Sequence, residues 1–552
     1  MTESTSDRSL ATRFSPWLLL SGVVTLFVLF PIAALFAVAA QGSTGLWAHL
    51  FDYVLPVALR DTAVLLAGVG LLSGTIGAGT AWLVTFYDFR GRSLISWALL
   101  LPLAVPTYII AYAYLDILHP VGPVQTALRA LLGVESPRDL RLPDIRSMPW
   151  CIVLLSFVLY PYVYLPTRAM FLMQAANLID AARTLGVSRS ALLFRVGLPL
   201  ARPAVAVGLS LALMEALNDI GASEFLGVRT LTVSIYSTWV TRADLAGAAQ
   251  IALAMLFVVV ALVLLERWAR RQRQYALDAQ HPRPLVPHRL HGMSGASALI
   301  ATLLPVVIGF VAPAAYLVHA TVVRVQFAGI PSSLVTEAIN TLWVSSMATM
   351  LMMVFAVIVV YAMRVGQGQL PTALARLATV GYAVPGTVLA LGLLPVTSTI
   401  DTIADWITVG LFDYTVGLLM ISSGAAVIYA YVGRFLAVTV GGVESGFSRV
   451  SPTLDDAART LGQSAGGVLW RVHFPLTRPA LATAGLLALV DCMKELPATL
   501  LLRPIGFETL ATHLYGEAAR GTYEDAAIAA LAIVAIGIVP VIVLARVGQS
   551  IR

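Results

Sequence analysis

The sequence predicts an all-α integral membrane fold of about twelve transmembrane helices, built as two tandem parallel six-helix repeats. Three observations lead there: an apolar composition, apolar runs of membrane-spanning length, and a segment duplicated at half the chain length. The chain has 552 residues, 59% hydrophobic and 12% charged, with a mean hydropathy of +0.85. A soluble domain carries about twice that charge, roughly 25%. So many apolar side chains cannot all be hidden in water-soluble cores, and the solvent must be lipid. A soluble multi-domain enzyme, a disordered regulator and a secreted disulfide scaffold are excluded. The two cysteines, Cys151 and Cys492, sit inside apolar runs and form no metal-ligand spacing.

A spanning helix needs roughly 20 apolar residues. First-half spans are expected over 17–40, 59–86, 94–118, 150–174, 201–221 and 246–266. Second-half spans are expected over 294–322, 337–363, 377–397, 412–437, 478–502 and 524–545. The first run is too long for a signal-peptide core and is read as a retained span. Between the halves, the stretch from Glu266 to Gly292 is polar, basic and proline-containing. It reads as a linker, which divides the chain into a first repeat at 1–266, a cytoplasmic linker at 267–293 and a second repeat at 294–552. Its histidines His281, His288 and His291 read as part of a solvated linker rather than a metal site.

The repeat is explicit. Residues 180–204 read DAARTLGVSRSALLFRVGLPLARPA, and 456–480 read DAARTLGQSAGGVLWRVHFPLTRPA, identical at 16 of 25 positions. This is a tandem duplication. Arginine placement sets the orientation: with both termini cytoplasmic, the inner stretches hold 20 arginines and the outer ones 8. Both copies then fall on the cytoplasmic side, so the halves enter the membrane the same way round. The basic excess is topology, not a nucleic-acid footprint.

Each copy reads as a helix–turn–helix. Asn177 before Asp180, and Thr453 before Asp456, have capping-box spacing. Gly186 and Gly462 suit the left-handed position that ends a helix. Ser188 and Ser464 suit the cap of a second short helix, and Pro199 and Pro475 its end. The small pairs Ala181-Ala182 and Ala457-Ala458 allow close docking against another protein.

These residues carry a resemblance. Asp180-Ala-Ala-Arg-Thr-Leu-Gly186 with Pro199, and Asp456 to Gly462 with Pro475, resemble the "EAA" loop of the membrane subunits of bacterial ABC importers. The family name implies Glu where this chain has Asp180 and Asp456; the shorter carboxylate keeps the capping chemistry. The resemblance covers essentially the whole chain as two fused permease domains. It implies the type I ABC importer fold, a multi-pass location in the bacterial inner membrane, and loops that dock onto a separate ATP-binding subunit, here a homodimer. ATP and magnesium would belong to that partner, with no cofactor in this chain. A periplasmic or lipid-anchored substrate-binding protein would dock outside. The stretch Met493 to Tyr515 resembles iron(III) importer permeases more narrowly. Independently, a phosphate-binding loop needs a Gly-Lys pair; the only lysine, Lys494, follows Met493. This chain is therefore expected not to be an enzyme.

Ionisable groups inside spans are costly and invite a functional reading. Glu215 and Asp219 read as one turn apart on one helix face. Asp491, Lys494 and Glu495 stand at the matching place in the second half. Four duplicated carboxylates suit a path for a hard cation such as Fe³⁺, held transiently rather than in a tight metal site. They equally suit structural glue between helices, with Lys494 pairing Asp491 or Glu495. The expected function is therefore the permease subunit of an ATP-driven importer of ferric iron, working by alternating access. The same importer carrying thiamine or another small solute, an ion-coupled secondary transporter and a membrane scaffold remain as alternatives.

Overall fold

A computed structural model describes residues 16–43, 45, 47–134, 136–138, 140, 142–184, 189–271, 287–366 and 368–549; side chains at 173–184, 189–190, 270–271 and 544–549 are left undescribed. Among the described residues, 11 helices are long and apolar enough to cross a membrane, or up to 12 if one bent pair counts as a span. The chain is an all-α membrane protein, as composition and periodicity predict.

Several expected spans differ in detail; the second begins at Trp47 rather than 59 and the fifth at Leu193 rather than 201. The third is not straight: Arg92–Ala104 and Thr107–Ile117 are separated by a break and bent by 93°. Pro106 lies in the break, where its ring disfavours helical backbone at Val105, which is extended. The ninth runs Gly386–Phe412 and the tenth Ala425–Phe447, both displaced from expectation. Residues Leu370–Ala378 form a separate short helix, and Gly417 and Gly424 turn the chain with positive φ between the two spans. The eleventh runs Ala465–Met493 and stops before Pro497, which starts a new short helix.

The chain forms two compact units that are not its sequence halves. One consists of Met1–Trp47, Ile235–Leu256 and Ser332–Thr512, the other of Ala48–Ser234, Phe257–Pro331 and His513–Arg552. In the first, helix Pro16–Ala40 lies against Gly386–Phe412 and Ser332–Val365. Tyr429 donates a 2.8 Å hydrogen bond to the Phe27 carbonyl, and the two rings stack. In the second, helix Ala312–Ala328 packs on Tyr523–Gln549. Tyr114 donates to the Ile308 carbonyl at 2.9 Å and Tyr316 to the Asp116 carboxylate at 2.6 Å. Each unit thus completes its core with helices from the other half. In lipid, apolarity alone does not choose a helix's neighbour; van der Waals fit and hydrogen bonds do.

The linker is ordered at both described ends. Helix Leu245–Arg271 runs into it. Beyond the undescribed stretch, His288 and Arg289 pair in parallel with Tyr87 and Asp88, and Leu290 N donates to Asp88 O at 2.8 Å.

Candidate functional site

Two sets of residues are candidates: the duplicated loop and the polar residues where two spans break. In the second copy of the loop, helix Pro452–Thr460 is capped by Ser451, whose hydroxyl accepts from Thr453 N. The cap is therefore Ser451 rather than Thr453, because Pro452 takes the first helical position, where its missing N–H costs nothing. In the first copy, helix Met148–Thr184 runs through Asn177, where a start was expected.

Gly462 ends the second-copy helix with φ +81°. Gly462 N donates to Arg459 O at 2.9 Å and Gln463 N to Ala458 O at 3.0 Å, the paired bonds of a Schellman cap. Ser464 caps the next turn, accepting from Gly467 N at 3.2 Å. Pro475 does not end that helix. A π-helical segment, Leu469–His473, precedes it and the chain continues as Phe474–Met493. The same device, Leu193–Gly197, precedes Pro199. The displaced hydrogen-bond register carries the helix past a residue that lacks an N–H.

Asp456, Ala457 and Gly462 are exposed, and Ala458 is buried. Leu454 and Leu461 are exposed as well, 44% and 80%. Leu454, Ala457 and Leu461 follow the i, i+3, i+7 spacing of one helix face. The sequence reading stopped at the alanines and missed this leucine stripe. Pro199 is half-buried. The side chains of Asp180, Ala181 and Ala182, and all of Gly186 and Ser188, lie outside the described residues.

The second set sits at two span ends. Helix Leu198–Asn218 stops one residue before Asp219, which has extended backbone. Asp219 therefore leaves the face that carries Glu215. Its buried carboxylate accepts from Ser223 N at 2.8 Å, Ser223 Oγ at 3.1 Å, Ala222 N at 3.4 Å and Thr107 Oγ1 at 2.5 Å. Those N–H groups open the short helix Gly221–Phe225. In the other unit, Glu495 follows the end of Phe474–Met493. It accepts from Ala498 N at 2.9 Å, Thr499 N at 3.1 Å and Thr499 Oγ1 at 2.7 Å, all at the start of helix Pro497–Leu502. The duplicated carboxylates thus hold the same place: each satisfies N–H groups that a helix start leaves without intrahelical partners.

The two sites differ in their last partner. Glu495 pairs with Arg434 at 3.0 Å, and both side chains are buried. A Cβ on Gly386 would stand 2.5 Å from the guanidinium and 2.8 Å from the carboxylate, so only glycine leaves room for this pair. In the Val-Pro-X stretch of the first half, Thr107 follows Pro106 as Gly386 follows Pro385, and its hydroxyl serves Asp219. Lys494 pairs with Asp491 at 2.8 Å, each partly exposed. Glu215 is half-buried. Among the described residues, no group of three His, Cys, Asp or Glu could hold a metal ion.

A further duplicated contact was invisible in the residue pattern. Thr62 Oγ1 accepts from Leu231 N, and Thr341 Oγ1 from Leu510 N, both at 2.9 Å across 169 residues. Each pins a Thr-Leu pair beyond a short helix back to the second helix of its own half.

Comparison with known proteins decides the family. Residues 70–274 and 362–552 each match the family described as binding-protein-dependent transport system inner membrane component. The chain belongs to that family. It carries the domain twice and is a fused double permease of the ABC transporter class, a multi-pass inner-membrane protein. A Haemophilus influenzae Fe(3+)-transport system permease is 22% identical over 500 residues, 88% of this chain and 89% of the relative. A probable molybdenum ABC transporter permease of Haloferax volcanii is 29% identical over 250 residues, 45% of this chain and 87% of the relative. The Escherichia coli molybdenum transport system permease is 26% identical over 207 residues, 36% of this chain and 87% of the relative. These relatives are transport permease subunits.

Proposed function

We propose that this double permease is the membrane subunit of an ATP-driven importer of ferric iron, with both termini cytoplasmic. The observation that carries the importer reading is the second-copy loop. It presents a rigidly capped helix whose exposed face, Leu454, Ala457 and Leu461, is apolar on the side assigned to the cytoplasm. That face suits a groove on a separate homodimeric ATP-binding subunit, which would hold ATP and magnesium. The first copy, Asp180 to Pro199, would dock on the other protomer. A periplasmic or lipid-anchored binding protein would deliver cargo from outside. ATP-driven closure of the partner would move the docked helices and open the path alternately to each side.

Iron is favoured by a relative, the Haemophilus influenzae Fe(3+)-transport system permease, that aligns over 88% of this chain. The intramembrane carboxylates Glu215, Asp219, Asp491 and Glu495 are the candidates for passing contacts with a hard cation. Asp219 and Glu495 already accept hydrogen bonds from their short helices. That same observation favours a second reading, an oxyanion cargo such as molybdate, in keeping with the names of other relatives. The test is uptake of labelled Fe³⁺, molybdate and thiamine by cells with the complete system and by cells lacking only this chain. Loss of Fe³⁺ uptake alone supports the proposal. Loss of molybdate or thiamine uptake alone replaces the cargo and keeps the importer.

A further inference from the structure

Beneath the exposed face of helix Pro452–Thr460 lies a buried polar cluster that the loop motif does not include. Its centre is Asp455, 7% exposed, next to the exposed Asp456. Arg364, near the end of helix Ser332–Val365, donates Nε to Asp455 Oδ2 at 2.9 Å. Its two other nitrogens reach the Val450 carbonyl at 2.8 Å and the Phe447 carbonyl at 3.4 Å. Those carbonyls belong to the end of helix Ala425–Phe447 and the turn after it. On the other side, Asp455 Oδ1 meets Nε2 of His473 at 2.8 Å. His473 is fully buried, in the π-helical segment that leads into helix Phe474–Met493. Its Nδ1 has no hydrogen-bond partner among the described residues, so the proton shared with Asp455 sits on Nε2. Tyr361, one turn before Arg364, donates to the Ala465 carbonyl at the start of the next helical turn.

One carboxylate therefore joins three membrane helices to the loop helix. A guanidinium fork fixes direction as well as distance, and the low-dielectric surroundings strengthen both bonds. The first copy uses different chemistry. Gly197 stands where the second copy has His473. A Cβ there would lie 2.5 Å from the Trp82 ring, which packs with Phe86 and Phe171. Apolar packing tolerates small rotations, whereas a guanidinium held at once by a carboxylate and two carbonyls does not.

We propose that Asp455, held by Arg364 and His473, is the positioning residue that makes the second loop helix move as one body with its membrane helices. This rests on the reading that the helix docks onto an ATP-hydrolysing partner. The pin transmits the partner's motion; it does not touch ATP or cargo.

The test uses the full chain with its ATP-binding subunit and binding protein in proteoliposomes, reading cargo transported per ATP hydrolysed. Asp455→Ala should lower that ratio at least tenfold. His473→Gln, which keeps an N–H donor at the same reach, should stay within threefold of wild type, and His473→Leu should not. Arg364→Met/Asp455→Leu removes both charges and guards against a folding failure of the single variant. It should insert and assemble yet remain uncoupled. An unchanged ratio in either Asp455 variant overturns the proposal, as does normal coupling in the double variant when the single one fails to insert. Failure of the parent reading looks different: Leu454→Glu/Leu461→Glu, on the exposed face, would leave binding of the ATP-hydrolysing subunit intact.

Discussion

Replacing Arg434 with methionine removes the guanidinium that the structure pairs directly with Glu495. The Arg434 side chain is 8% exposed and that of Glu495 1%, with 3.0 Å between nitrogen and oxygen. At an effective dielectric of about 20, two charges at this distance attract by about 5 kcal/mol. Breaking a buried pair by deleting one member typically costs about 3–5 kcal/mol, because the remaining charge stays buried. Glu495 keeps three other donors, which places the expected loss toward the lower end, about 3 kcal/mol. Arg434→Met/Glu495→Gln removes the stranded charge while an amide oxygen still meets the short helix. The double variant should therefore lose only about 1–2 kcal/mol, the scale of one imperfect hydrogen bond. Denaturant titration of the purified chain in nanodiscs measures both, and hydrogen exchange at Ala498 and Thr499 localises the change. A loss under 1 kcal/mol for the single variant would refute the reasoning. So would a double variant as unstable as the single one.

Gly386→Ala should destabilise by about 1–3 kcal/mol, the cost of overpacking, because its Cβ meets both members of that pair; parity with wild type in the same titration would contradict this. Thr62→Val and Thr341→Val should each cost about 1–3 kcal/mol by stranding a buried N–H, and similar losses at both sites would mark the contact as a true repeat. Gly462→Ala should cost about 1–2 kcal/mol through its left-handed backbone and lower transport without blocking insertion. Glu215→Gln/Asp491→Asn should reduce cargo uptake at least tenfold at unchanged membrane abundance; uptake within twofold of wild type removes both from the path.

The importance of Asp219 and Glu495 was legible in the sequence, but their geometry was not. Their duplicated positions inside apolar runs flagged them. Helical periodicity then put Asp219 on the face of Glu215, because the pattern carries no mark of where a span ends. The stop is tertiary: each carboxylate offers the chain an alternative set of bonds to the next short helix, with Thr107 or Arg434 completing it. Asp455 shows the converse. One residue from the repeated motif, it drew no notice, because its partners Arg364 and His473 come from distant segments.

The sequence by itself determined the solvent, the approximate number of spans and the duplication. Each of these follows from local properties: apolar length and a repeated string of residues. Only the tertiary structure decided which helices share a core. Pro16–Ala40 joins the unit of Ser332–Thr512, and Ala312–Ala328 joins that of Ala48–Ser234. In lipid every spanning helix meets acyl chains as apolar as itself, so hydrophobicity alone does not select a neighbour. Shape and hydrogen bonds select it, such as Tyr429 on the Phe27 carbonyl, 402 positions away, and Tyr114 on that of Ile308, 194 positions away.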